Sequence, residues 1–337
     1  MTPVNQPFAI QCRNLIKTYP GKPPVEAVRG IDLEVRAGEC FGVLGPNGAG
    51  KTTTIEIIEG LLEPTSGDVE VLGLRWDDAG NEIRQQIGVS LQETLLPEKL
   101  SVTEILTLFR SFYGSGLSPT EALARVSLEE KASAWVKKLS GGQKQRLAVA
   151  IALIGDPRLV FLDEPTTGLD PHSRRQMWDV ISDLGRRDRT VLLTTHYMEE
   201  AERLCDRVAI IDHGRIIAQG SPRELIAGLG AEHVIEFSID GPVEVASLER
   251  LPSVSSAATE DGCVRLSVSE PHVVIPALIN RLEQQQCRLA SLTTRHASLE
   301  DVFVKLTGRH IADDDAKPAD PDATAAEHNE SLKPSRN

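Results

Sequence analysis

Two stretches of this 337-residue chain combine residue types suited to chemistry on phosphates. Gly45-Pro46-Asn47-Gly48-Ala49-Gly50-Lys51-Thr52 fits the pattern G-x-x-x-x-G-K-[ST]. In such a loop small residues let the backbone curl until successive N–H groups point inward at phosphate oxygens, beside the positive end of the following helix. Lys51 would bring a full charge to the outer phosphates, and the Thr52 hydroxyl is a hard oxygen that suits Mg2+. Further along, Val160-Phe161-Leu162-Asp163-Glu164 is an apolar run ending in two carboxylates, at the strand end where open α/β sheets place ligand chemistry. Asp163 is expected to hold Mg2+ and Glu164 to polarise an attacking water. The phosphate loop by itself leaves GTPases, kinases and ATPases open.

A third stretch narrows the class. Leu139-Ser140-Gly141-Gly142-Gln143-Lys144-Gln145-Arg146 precedes an apolar run, Leu147 to Ile154. Without large side chains at Gly141 and Gly142, amides at a helix start can approach an anion closely. The sequence LSGGQ resembles the signature of the ABC ATPases, which in that family touches the γ-phosphate of ATP held by a partner subunit. Other residues fall in the family's order: Tyr19 resembles the aromatic that stacks on adenine, Gln92 the Q-loop glutamine, Asp170 in GLDP the D-loop aspartate, and His196 the switch histidine. Taken singly, Tyr19, Gln92 and His196 would read as a packing aromatic, a solvated glutamine and a core histidine.

The resemblance covers about residues 9–222, and it implies ATP and Mg2+ as cofactors. ATP would be bound by Tyr19, Gly45, Asn47, Gly48, Ala49, Gly50, Lys51, Thr52 and Thr53, and Mg2+ by Thr52, Gln92 and Asp163. Glu164, His196 and Gln92 would be the catalytic set. Ser140, Gly141, Gly142 and Gln143 would act in trans on the ATP of a second copy, with Asp170 at the contact. Two copies would then close head to tail around two nucleotides.

The elements that must position these residues follow from hydrophobic patterning. From Ala9 to about Asp212 short β-branched runs alternate with helical patterns, which predicts an α/β domain with a largely parallel sheet. Cys40 to Leu44 and Val160 to Leu162 are apolar or nearly so on both faces, as buried parallel strands must be. Between about 97 and 140 the pattern turns helical, with Val102, Ile105, Leu106 and Phe109 on one face, predicting an inserted helical subdomain. Residues 1–228 are thus read as a P-loop ATPase domain that also carries an antiparallel β subdomain. After Gly228 the order β, α, β, β, α, β over 233–294 predicts a small α+β, ferredoxin-like domain spanning 229–310. Residues 311–337, rich in Asp, Pro, Ala and Glu, are read as a disordered acidic tail.

Ser298 to Gly308 resembles the tail of ATP-binding subunits of ABC-2 exporters of the daunorubicin-resistance kind. That implies export of a drug, lipid or glycan through a separate transmembrane permease. Physically the segment reads as an amphipathic helix, with Leu299, Val302, Phe303 and Leu306 expected to pack on the small sheet. A soluble regulatory ATPase that moves no cargo and an importer subunit share the catalytic motifs and stay open.

Composition bounds the partners. With 36 Lys and Arg against 49 Asp and Glu, the formal net charge of −13 disfavours a general nucleic-acid binder. The longest apolar run, Leu147 to Ile154, falls well short of the roughly 18 residues a spanning helix needs. The first residues lack the basic start and apolar core of a signal peptide. The five cysteines are scattered and free of any C-x-x-C pair, pointing to inert thiols in a reducing compartment. The expected location is the cytoplasm, peripheral on the inner face of the membrane through the permease.

Overall fold

The structure, a computed structural model, describes residues 8–91, 94–185, 189–240, 245–260, 263–285 and 287–309. The chain opens with a long hairpin, β1 (Phe8–Tyr19) and β2 (Val25–Arg36), then β3 (Cys40–Leu44), α1 (Lys51–Ile58), β4 (Ser66–Val71), α2 (Trp76–Gln86) and β5 (Ile87–Ser90). A helical stretch follows with α3 (Val102–Arg110), α4 (Pro119–Arg125) and two 3-10 turns, and then α5 (Gly141–Leu153). Next come β6 (Leu159–Asp163), α6 (Pro171–Gly185), β7 (Thr190–Thr195), α7 (Met198–Leu204), β8 (Arg207–Asp212), β9 (Arg215–Gly220) and α8 (Pro222–Ala227).

Strands β5, β6, β7, β3, β8 and β9 form one sheet in that order, parallel except for β9. All five residues of β3 and all six of β7 are buried, because helices and a second sheet cover both faces. On one face Phe41, Val43 and Phe161 join Ile55 and Ile58 of α1 and the inner residues of the antiparallel sheet β2-β1-β4. On the other, Leu44, Leu162 and Leu193 pack with α5, α6 and α7. The central placing of β7 between β6 and β3 matters most for chemistry. It brings the C-terminal ends of three strands side by side, with Asp163 opposite Thr194 and Leu44 opposite Thr195.

In the helical stretch, Ser101 and Ser118 each start a helix through a reciprocal capping box with Glu104 and Glu121. Val102, Ile105 and Leu106 are buried, while Phe109 is partly so. The cysteines are all free, and burial pushes the Cys12 thiol up to about 12.

The remaining elements are β10 (His233–Asp240), α9 (Val245–Leu248), β11 (Val254–Glu260), β12 (Cys263–Val268), α10 (Pro271–Gln284), β13 (Arg288–His296) and α11 (Leu299–Thr307). Their strands form an antiparallel sheet in the order β11-β12-β10-β13, the ferredoxin-like arrangement. Phe237, Leu266, Val274 and Leu278 centre its core.

Helix α11 departs from expectation. It does not pack on the small sheet's core: Leu299, Val302 and Phe303 are buried in the larger core with Met198, Ala201 and Leu229, and Leu306 is left 50% exposed. Polar contacts at both ends explain the choice. Glu202 Oε1 on α7 accepts from Leu299 N–H at 2.6 Å, Lys305 Nζ donates to Leu229 O at 3.1 Å, and Arg309 donates to Asp212 at 2.6 Å.

Candidate active site

Two backbone positions in the loop between β3 and α1 admit only glycine. Gly45 has φ +153° and a Cβ there would lie 2.2 Å from Ile211 O, while Gly50 has φ +100° and its Cβ would meet Ala27 O at 2.3 Å. The turn after β8 supports the loop from behind, Gly214 N–H donating to Ala49 O at 2.8 Å. No side chain caps the first turn of α1, so its N–H groups and the helix dipole remain available to an anion. Lys51 is only 5% exposed, and its Nζ donates to Gly45 O at 2.8 Å and Pro46 O at 3.0 Å. Those carbonyls hold the ammonium at the loop's centre, where a phosphate would meet it. Thr52 is exposed on the loop's outer side, as are Asn47 and Gly48, whereas Ala49 is buried. At the end of β1, Tyr19 Oη lies 3.4 Å from Thr53 Oγ1, so the ring flanks the helix start.

Asp163 and Glu164 leave the adjacent strand at different angles. Asp163 Oδ1 accepts from Thr194 Oγ1 at 2.5 Å. Glu164 adopts φ +43°, uncommon for a non-glycine residue, and its N–H is held by Thr194 O at 3.2 Å and Thr194 Oγ1 at 2.9 Å. This turn swings its carboxylate toward the switch: Oε2 lies 3.3 Å from His196 Nδ1 and accepts from Thr167 Oγ1 at 2.9 Å. The imidazole contact outweighs burial and holds the Glu164 carboxyl below its usual range, with Lys51 adding to the effect. Asp163 moves the other way: burial raises it, aided by the neighbouring charge of Glu164 and only partly offset by Thr194 and Lys51. Beneath them, at the end of α1, burial and the charge of Asp163 push Glu59 up to about 8.

A hydroxyl at Thr52 and a carboxylate at Asp163 are hard oxygen donors of the kind Mg2+ takes, and the carboxylates crowded around Asp163 leave local charge for a cation to neutralise. Among the described residues no group of three or more His, Cys, Asp or Glu side chains could hold a metal by itself. A cation here would therefore draw most of its ligands from a nucleotide and water. Gln92, the other expected ligand, lies outside the described residues.

The signature residues form a second cluster. Ser140 caps α5, with Gln143 N–H donating to Ser140 Oγ at 3.3 Å and Ser140 N–H to Gln143 Oε1 at 3.0 Å. Gly141 is exposed and a Cβ there would meet nothing within 4 Å, whereas at Gly142 it would lie 2.7 Å from Ser173 Oγ. That hydroxyl donates to Asp170 Oδ2 at 2.6 Å, and Asp170 Oδ1 accepts from the N–H groups of His172 and Ser173. Asp170 thus caps α6 and joins the D-loop to the start of α5.

The structure therefore gathers Lys51, Asp163, Glu164 and His196 at the ends of β3, β6 and β7, with Tyr19 and Thr53 alongside, and gathers Ser140 to Gln143 with Asp170 separately. Sequence reasoning missed Thr194, which touches both carboxylate positions, and Glu59. Thr194 was findable, since it sits two residues before His196 on the strand beside Asp163.

Comparison with known proteins fits this geometry. The ABC transporter family model matches residues 28–167. The Nod factor export ATP-binding protein I of Burkholderia lata is 40% identical over 310 residues, covering 90% of this chain and 98% of its own. That of Rhizobium etli is 40% identical over 308 residues, covering 90% and 94%. Among solved structures, a dimeric ATP-binding cassette in a post-hydrolysis state bound to ADP and Pi is 28% identical with a TM-score of 0.57, covering 63% of this chain and 98% of that one. An ATP-binding subunit of an ABC transporter is 30% identical with a TM-score of 0.59, covering 66% and 93%. With its nucleotide loop, paired carboxylates and switch histidine in one fold, this chain belongs to the ATP-binding, ATP-hydrolysing subunits of ABC transporters.

Proposed function

We propose that this chain powers an exporter of the ABC-2, daunorubicin-resistance-like kind, closing head to tail with a second copy around two ATP molecules. The observation that carries the catalytic half is the Glu164 carboxylate, 3.3 Å from His196 Nδ1 and held below its usual range by that contact, with Lys51 adding to the effect. It is poised to orient water toward a γ-phosphate held by the loop amides and Lys51. Phosphoryl transfer depends mainly on such positioning and charge stabilisation. When bound by Thr52 and Asp163, with Gln92 as a further ligand, Mg2+ would neutralise charge on the β and γ phosphates. Tyr19 offers its ring to adenine, and His196 holds the γ-phosphate.

The trans role of Ser140, Gly141, Gly142 and Gln143 is supported by the open space around Gly141, and Asp170 would lie at the same contact. Export through a separate permease is supported by the Nod factor export relatives. No helix among the described residues is long and apolar enough to cross a membrane, so the cargo path belongs to a partner. The permease would dock beside the helical stretch, where Leu91, Leu95, Leu108 and Phe112 are exposed, placing the chain on the inner face of the membrane.

Glu164→Gln tests the reading. ATP binding should persist, turnover should fall by at least about a hundredfold, and ATP should convert the variant to a stable dimer on a sizing column. Hydrolysis near the wild-type rate would sink the assignment.

A further inference from the structure

Helix α7 follows His196 directly and carries a buried acid with no part in the scheme above. Glu200 is fully buried, and its Oε1 accepts from Trp178 Nε1 on α6 at 3.0 Å. Its surroundings draw on the segments that follow β6 and β7 and on α6. Thr166 lies two residues beyond Glu164, Thr195 immediately precedes His196, and Arg174 projects from α6; burial raises the Glu200 carboxyl above its usual range, and these three with Trp178 offset it only in part. Glu200 Oε2 and Thr166 Oγ1 are both buried without a hydrogen bond in this arrangement of the chain, although an orphaned buried polar atom is costly.

Arg174 links the group onward. Its guanidinium lies 4.5 Å from the Tyr197 ring centre, and Tyr197 in turn stacks on His196 with centroids 4.0 Å apart. At the other end of the chain of contacts, Ser173 in the first turn of α6 donates to Asp170 and packs against Gly142 at the start of the signature helix. Glu200 therefore stands where the loops serving the chain's own nucleotide meet the helix leading to the surface that would serve the neighbouring nucleotide.

We propose that Glu200 is a positioning residue that ties the Glu164 and His196 loops to helix α6, and so couples the two ATP sites of the dimer. This rests on the dimeric ATPase reading above. Buried away from the surface, Glu200 fixes where His196 and the signature helix stand relative to one another. The coupling is a packed route, hydrogen-bonded from Glu200 to Trp178 and leaving Glu200 Oε2 and Thr166 Oγ1 without a hydrogen bond.

The test uses the full chain with MgATP. Glu200→Ala should lower kcat about tenfold, the scale of one lost bond to a charged group, with KM for ATP within about twofold of wild type and the cooperativity of the ATP dependence lost. Glu200→Gln keeps the acceptor for Trp178 and should restore most of kcat and the cooperativity. Trp178→Phe keeps the ring, removes the donor, and should lower kcat about threefold with the same loss of cooperativity; it carries the test if Glu200→Ala fails to fold. In a His196→Ala background Glu200→Ala should add little. Normal kcat and cooperativity in folded Glu200→Ala, or in Trp178→Phe where it stands in, would overturn the proposal, as would full additivity with His196→Ala. The two readings fail separately: an inactive wild-type chain, or an active Glu164→Gln, removes the ATPase scheme, whereas a normal Glu200→Ala beside an inactive Glu164→Gln removes only the coupling role.

Discussion

The molecule carries two glycine-rich loops at helix starts, and they differ in who requires the glycines. In the loop before α1, Gly45 and Gly50 hold left-handed backbone and press against Ile211 O and Ala27 O. The chain's own fold demands them. At the start of α5 the helix is already self-capped by Ser140 and Gln143, and the space around Gly141 is open. Among the described residues nothing requires a glycine at 141, in contrast to Gly142 beside it, which Ser173 hems in, and a glycine in a helix costs stability relative to alanine. The difference separates a loop whose form its own fold dictates from one whose first glycine the fold leaves free, as the proposed action on the ATP of a second copy would require.

That contrast can be broken most severely at Gly50. Gly50→Ala combines a disfavoured φ with backbone overlap, and should cost about 3 kcal/mol or more of stability together with nucleotide binding. Chemical denaturation and a fluorescent-nucleotide titration would measure both, and a stable variant that binds ATP would show the loop to be more pliable than described. Gly141→Ala should do the reverse. The isolated chain should gain about 0.5–1 kcal/mol and bind nucleotide normally, yet hydrolyse ATP about tenfold more slowly because the new methyl group stands between an amide and the partner's phosphate. Normal turnover would mean that the second copy does not approach at this point.

The smallest effect concerns the floor of the first loop. Glu59 has its folded-state value raised from 4.5 to about 8, so the folded chain binds a proton that the unfolded chain has released. Its contribution to stability is then complete at low pH and is lost as pH rises between about 4.5 and 8. Glu59→Gln should erase that loss, so melting temperatures of variant and wild type should diverge by a few degrees toward pH 8 and converge near pH 5. Parallel curves would refute the buried neutral acid.

Much of this was legible in the sequence because the parallel core leaves no ambiguity. A run such as Cys40 to Leu44, apolar on both faces, has few homes other than a covered strand, and the glycines, lysine and carboxylates after such runs fall at strand ends by construction. The order of elements in the small domain followed from apolar patterning, as at Val264, Leu266 and Val268, which alternate into its core. What stayed hidden was non-local. Thr194 earns its role only because β7 lies between β6 and β3, a matter of sheet order. Glu59 and Glu200 look like ordinary helix-surface acids until burial is known. Helix α11 presented an apolar face in sequence, but amphipathicity says that a helix buries a stripe and not what against; a hydrogen bond to Glu202, 97 residues away, decided that.

The same helix bears on how the molecule is made. Leu299, Val302 and Phe303 complete the core that α5, α6 and α7 begin, so the final helix among the described residues closes a core whose other helices are translated well before it. Domains usually form in the order of synthesis. Here the core that α5, α6 and α7 share with α11 is complete only once the small sheet between them has been translated, so the two parts of the molecule are expected to finish folding together.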